Sequence, residues 1–311
     1  MSSTRRQTAT AYLLLLGIVA IWGSTFAVVK GALRDCSPLL FNQLRMILAF
    51  AALALINLRA WRNLTRTALK AGATAGLCLA AGYELQTAGL VTTSPSHSAF
   101  LTGLVVVLVP LFSIAPRLRA PGAHPPGIGN LFGAVGAFVG IVLLTTPPGT
   151  PLSEFTRGIN IGDLLSLACA IAFALHLISL SHLAKTIPTA QLATLQIGFA
   201  ALFMSIATPT IERTYLHWTP NLIFALVVCA LFATAAAFTV QSWAQLHLQA
   251  SHTAMLMALE PAFALLTSLL FFHEHLALRS GIGAALILGS LLLAEVLSST
   301  PISEQPEANR A

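Results

Sequence analysis

About ten apolar stretches, each some 20 positions long, alternate along the chain with short polar breaks. They cover residues 11–30, 38–58, 68–91, 97–117, 127–146, 162–183, 189–208, 221–245, 251–272 and 280–297. A helix needs about 20 apolar residues to cross the hydrocarbon core of a bilayer. The pattern therefore predicts an all-α integral membrane protein with about ten transmembrane helices. Ser37-Pro38, Ser94-Pro95, Pro125-Pro126, Pro147-Pro148, Pro188 and Pro220 punctuate the stretches, where a proline ends one helix and opens the next. Residues 148–159, rich in proline, glycine and threonine, read as a linker between a first unit at 1–147 and a second at 160–298. A polar tail, 299–311, follows. Five spans per unit oblige the second to enter the membrane from the opposite side, so the expected architecture is two inverted five-helix repeats.

A recurrence of polar residues supports the duplication. Gln86, Ser96, His97, Ala99 and Leu101 reappear as Gln241, Ser251, His252, Ala254 and Leu256 at a constant offset of 155 residues. Other polar groups stand inside the apolar runs. Arg45 lies seven residues into the second span and Glu84 seven before the end of the third, which puts both about 10 Å below the outer surface. At that depth the two can pair, although Arg45 can equally snorkel to the headgroups. Gln196, Gln241 and Glu260 lie roughly 9 to 14 Å from the opposite surface. Glutamines there serve either as interhelical glue or as cavity lining. These residues, with Trp22 and Trp243 as aromatic walls or packing groups, are the substrate-binding candidates. Glu84, Glu260 and the mid-span His176 are the proton-coupling candidates. Pro110 and Pro261 are expected to kink spans four and nine. His97 and His252 open those spans, each preceded by a serine in N-cap position.

Composition narrows the class. Hydrophobic residues make up 56% of the 311 positions and charged residues 8%, and mean hydropathy is +0.83. A soluble domain carries about a quarter charged residues. The basic excess, 16 Lys and Arg against 10 Asp and Glu, is scattered, which excludes a nucleic-acid footprint. Ten basic residues, among them Arg5, Arg6, Arg59, Arg62 and Lys185, fall on the N-terminal side of the predicted membrane. Five, Lys30, Arg34, Arg157, Arg213 and Arg279, fall on the other. That bias places both termini in the cytoplasm. Cys36, Cys78, Cys169 and Cys229 lie far apart and read as free thiols. His273-Glu274-His275 lacks the one-turn spacing a helical zinc site needs, and no metal or other cofactor is expected. The absence of a phosphate-binding glycine loop argues against ATP drive. Gly129, Gly133, Gly136 and Gly140 in span five, with Gly281, Gly283 and Gly289 in span ten, mark close-packing helices remote from any substrate. These two spans also suit a homodimer contact.

Three stretches carry a family likeness: Ile21-Trp22-Gly23-Ser24-Thr25-Phe26 with Arg45, the segment 82–111, and the segment 241–295 with its Leu-Glu-Pro at 259–261 and loop Glu274. Over nearly its whole length the chain resembles the EamA-type members of the drug/metabolite transporter superfamily. The resemblance implies ten helices in two inverted repeats, alternating access through a cavity lined by spans one to four and six to nine, and export of small organic metabolites such as amino acids or amines. The loop after span four, RLRAPGAHPPG, lacks a counterpart of Glu274, so that loop departs from the symmetric pattern. The expected partners are a small-molecule substrate and membrane lipid. The rival readings are an intramembrane lipid-modifying enzyme and a non-transporting membrane sensor.

Overall fold

The apolar stretches fold as helices whose starts are set by the residues that punctuate them. In a computed structural model, residues 3–119, 127–146, 149–151, 158–183, 186–248, 256–257, 259–272 and 277–298 are described. The helices are α1 (Ser3–Ala32), α2 (Pro38–Ile56), α3 (Arg66–Gly89), α4 (Pro95–Thr102), α5 (Val105–Phe112), α6 (Ile128–Thr145), α7 (Ile161–Leu183), α8 (Thr189–Ile211), α9 (Pro220–Val227), α10 (Ala237–His247), α11 (Glu260–Phe272) and α12 (Leu278–Ser298). A short 3₁₀ turn, Leu58–Trp61, follows α2, and a π-helical segment, Val228–Ala236, joins α9 to α10. Pro38, Pro95 and Pro220 occupy the first turns of α2, α4 and α9, where a missing N–H costs nothing. The hydroxyls of Thr65, Ser94 and Thr219 accept from the backbone N–H three residues on, the usual N-cap bond. Among the described residues the only strand-like pairing is an isolated antiparallel bridge between Cys36 and Leu216.

Six helical stretches are long and apolar enough to cross a membrane: Gln7–Ala32, Pro38–Ile56, Pro95–Phe112, Ile161–Leu183, Thr189–Ile211 and Pro220–Ala244. Phe132–Leu144, Glu260–Phe271 and Leu278–Ser290 are shorter apolar helices. The expected third span, α3, falls outside both groups because alanine, glycine, Lys70, Glu84 and Gln86 dilute its hydropathy. Its small residues serve packing instead. A Cβ on Gly76 would lie 2.7 Å from the Gln196 carbonyl oxygen, so α3 meets α8 backbone to backbone. On its other side α3 packs against α7.

The other extensive contacts pair helices across the two halves. α1 lies against α11 and α10, α2 against α8 and the π segment, and α4 and α5 against α7. The pair α6 and α12 packs against α4 and α5 and is joined through Gly140 and Gly283, where a Cβ on either would come within 2.8 Å of the other's carbonyl oxygen. Of the glycines expected to pack closely, Gly136, Gly140 and Gly283 do, whereas a Cβ on Gly281 or Gly289 would meet nothing within 4 Å.

One end of the bundle is stitched shut. The loop after α1 and the loop after α8 run together: Ser37 N–H donates to the Tyr215 carbonyl (3.1 Å) and His217 N–H to the Asp35 carbonyl (2.7 Å). Thr219 Oγ1 donates to the Asp35 carboxylate at 2.7 Å. The Glu212 carboxylate accepts from the N–H groups of Leu39 and Leu40 at 3.1 and 3.2 Å, where the α2 dipole favours an anion. At the same end Lys30 Nζ donates to the carbonyls of Leu90 and Thr93 just past α3, and Thr93 Oγ1 donates to Asp163 at 2.6 Å. The opposite end is concave. A cavity of about 430 Å³ lies there, lined by residues that include Thr10, Leu14, Asn57, Thr189, Val240 and Trp243.

Candidate functional site

Position 45 lies on the buried face of α2, and the side chain points inward rather than to the headgroups: Arg45 is 2% exposed. Its Nε donates to Thr234 Oγ1 at 2.7 Å, and Nη2 donates to Tyr83 Oη at 3.1 Å and to the Ala233 carbonyl at 3.3 Å. The guanidinium carbon also sits 4.2 Å from the Tyr83 ring centroid, a cation–π contact. The expected Arg45–Glu84 pair is not made. Glu84 follows Tyr83 on α3 and so projects about 100° away, where its Oε2 accepts from Asn42 Nδ2 at 3.2 Å. Asn42 also donates to the Tyr83 carbonyl at 2.9 Å and accepts from Thr87 Oγ1 at 3.2 Å. Glu84 Oε1 is buried without a hydrogen-bond partner.

Aromatic residues close around the guanidinium. Trp22 Nε1 donates to the same Ala233 carbonyl at 2.8 Å. Phe238, two residues past the π segment, has its ring centroid 5.7 Å from Trp22, 6.4 Å from Tyr83 and 5.9 Å from His176. Phe173 meets Tyr83 edge-on at 5.4 Å. These spacings are those of edge-to-face and tilted aromatic pairs. His176 Nε2 shares a 2.8 Å hydrogen bond with Gln196 Oε1. Gln196 is fully buried, and its Nε2 has no partner. Glu260 opens α11, half-buried, within electrostatic reach of Tyr83 and Cys169. Gln241 is buried on α10, with Nε2 3.9 Å from Met257 Sδ and Oε1 unpartnered.

Other predicted residues lie elsewhere. Trp243 meets His247 with the rings tilted and their centroids 4.6 Å apart, and lines the cavity at the concave end. Gln86 is half-buried on α3. Pro110 falls in the last turn of α5, and the interruption in span four comes earlier, at Gly103 and Leu104. Pro261 is the second residue of α11, just past a helical pair at Leu256 and Met257 and a turn at Leu259. Ser94, not Ser96, caps α4, and it bonds the His97 N–H at 3.3 Å. Ser251, His252, Ala254 and the His273-Glu274-His275 triplet lie outside the described residues. All four cysteines are free, and among the described residues no cluster of three His, Cys, Asp or Glu could hold a metal ion.

Sequence reasoning missed Asn42, Tyr83, Thr234 and Phe238. Asn42 carried a readable signal, since an asparagine three residues before Arg45 shares its helix face. Thr234 and Phe238 carried none, because a threonine and a phenylalanine are ordinary members of an apolar run.

The profile of the EamA-like transporter family matches residues 9–146 and 160–295. An uncharacterized transporter of Archaeoglobus fulgidus is 32% identical over 279 residues, which is 89% of this chain and 83% of that protein. The uncharacterized transporter YvbV of Bacillus subtilis is 25% identical over 94% of this chain and 93% of its own. Its YoaV, also an uncharacterized transporter, is 23% identical over 88% and 93%. A solved crystal structure of 19% identity superimposes with a TM-score of 0.65 over 94% of this chain and 99% of that one, a likeness of fold.

Proposed function

The chain belongs to the EamA-like transporter family, and on that footing we propose that this multi-pass membrane protein is a secondary transporter of a small organic metabolite. It exports its solute across the cytoplasmic membrane by alternating access, with both termini in the cytoplasm. The observation that carries the reading is the convergence of a cation, two glutamine amides each with one unpartnered atom, and four aromatic rings inside a bundle stitched shut at one end and concave at the other. Buried polar groups of this kind are expensive in a membrane and mark solute pathways.

The helix pairings support two inverted five-helix repeats. If the halves are exchanged span for span, α1 on α11 maps onto α7 on α4, α3 on α7 maps onto α10 on α1, and α2 on α8 and α6 on α12 each map onto themselves. That exchange supports a count of ten spans, with α3 as the third. The basic bias of the N-terminal face supports the cytoplasmic termini, and the concave end is then the cytoplasmic one. Export rests on the family resemblance.

Flux into and out of proteoliposomes, measured for a panel of amino acids, amines, organic acids and nucleosides, tests the reading. A solute gradient that dissipates faster than in protein-free vesicles is the expected result. No flux of any panel member in either direction, from protein shown to be folded, would overturn it.

A further inference from the structure

Arg45 is a buried cation whose partners are all neutral: a threonine hydroxyl, a phenol and a backbone carbonyl. Among the described residues no carboxylate pairs with it, since the nearest candidate by sequence, Glu84, is bound to Asn42. A buried charge ordinarily has a counter-ion. We propose that the missing counter-ion is the solute, an organic carboxylate with an apolar or aromatic body. When it takes the Arg45 guanidinium it releases the π-helical segment Val228–Ala236 into ordinary α-helix. This inference rests on the transport reading and names the solute class of that same site.

The geometry carries both parts. The guanidinium edge formed by Nε and Nη2 is the one that grips a carboxylate with two parallel bonds. Here that edge is spent on Thr234 Oγ1 and the Ala233 carbonyl. A carboxylate competes for those two bonds and replaces weaker, neutral acceptors. The rings of Trp22, Tyr83 and Phe173, which lie on helices that the segment does not carry, supply apolar surface for the rest of the solute.

The acceptors that the solute displaces are parts of the π segment. Thr234 Oγ1 itself donates to the Cys229 carbonyl, five residues back, at 2.8 Å, which braces one wide turn. Trp22 and Arg45 both pull on the Ala233 carbonyl. π-helical turns are rare, are held by surrounding contacts and concentrate at functional sites. Without the Arg45 bonds the segment is held only by the Thr234–Cys229 and Trp22–Ala233 bonds. Relaxation to α-helical bonding shifts the register by one residue, which turns everything C-terminal by about 100° and moves it about 1.5 Å along the axis. The residues carried by that turn are Phe238, Gln241 and Trp243 on α10, and Trp243 lines the cavity at the concave end. Solute binding at the centre is thereby conveyed to the mouth.

The test uses the full-length protein with fluorinated tryptophan, whose four indoles, Trp22, Trp61, Trp218 and Trp243, bracket the device. Benzoate, benzamide and benzylamine are titrated as probes that differ in charge at one position. Benzoate should shift the Trp22 and Trp243 resonances together while Trp218, in the loop at the closed end, stays fixed; the amide and the amine should bind at least tenfold more weakly. Thr234→Val removes one competitor for the guanidinium and should tighten benzoate binding roughly three- to tenfold, whereas Arg45→Gln should abolish the preference for the acid. Equal binding of all three probes, or unchanged benzoate affinity in Thr234→Val, would overturn the carboxylate site. A benzoate shift confined to Trp22 would overturn the register change. Liposome flux of wild-type protein separates this inference from the broader one: if amines or neutral solutes cross and carboxylates do not, transport stands and this proposal falls.

Discussion

The imidazole of His176 and the amide of Gln196 share one hydrogen bond in the dry interior, and the amide's second group is left without an acceptor. Gln196→Leu should strand the ring nitrogen, costing about 1–3 kcal/mol of stability, readable as a lower unfolding temperature in detergent. His176→Phe combined with Gln196→Leu should recover most of that loss, because removing both partners leaves nothing unsatisfied; a double variant as unstable as the sum of the singles would contradict the pairing. Cys36 offers a pH test outside the spans. Burial first, then the negative charges of Glu212 and Asp35, push its thiol up to about 12. A folded-state value above the ordinary one near 9 favours the neutral thiol, so its contribution to stability is complete below about pH 9 and is lost as pH rises through about 12. Cys36 should resist alkylation at pH 8, and the wild-type melting temperature should fall more steeply than that of Cys36→Ala between pH 9 and 11. Rapid alkylation at pH 8 would contradict the burial. At this scale the candidates were legible as odd residues in apolar runs, Arg45, His176 and Gln196 among them. Their partners were not, because a hydrogen bond such as Arg45 to Thr234 spans 189 positions and leaves no local trace.

Helix starts could be read from the chain because their chemistry is local: serine or threonine accepting from the third N–H and proline in the first turn. Departures from regular helix could not. The break at Gly103 and Leu104 and the π turns at Val228–Ala236 are held by neighbours, and Pro110, which did look like a breaker, is accommodated at a helix end. α3 is less apolar than its neighbours for a related reason, since its glycines serve closeness to α8. Gly76→Ala should therefore push α3 from α8 and cost about 1–3 kcal/mol. Gly17→Ala on α1, where a Cβ would have no neighbour within 4 Å, should be neutral or stabilising by up to about 1 kcal/mol. Equal effects in thermal unfolding would argue against the tight crossing.

For the whole molecule, the all-α membrane architecture followed from span spacing, and the duplication from a handful of polar residues. Which end is closed did not, because closure depends on the loop seam, whose residues look like any interfacial loop. The Cys36–Leu216 bridge makes the seam testable. Bridged residues sit about 4.5–5.5 Å apart at Cα, within disulfide range, so Leu216→Cys should cross-link to the native Cys36 on oxidation. If the seam must part for turnover, the oxidised protein should stop transporting and recover on reduction. Undiminished flux with the cross-link formed would show that the seam is a fixed wall.

The central anchor for Trp22 and Arg45 is a main-chain oxygen, that of residue 233. No substitution there can delete it. In a saturation library, position 233 should sort its variants by bulk alone, with glycine and serine surviving. Positions 22 and 45, which supply the donors, should tolerate almost nothing. Selection on this anchor acts on the donors, while the acceptor position is free to drift among small residues.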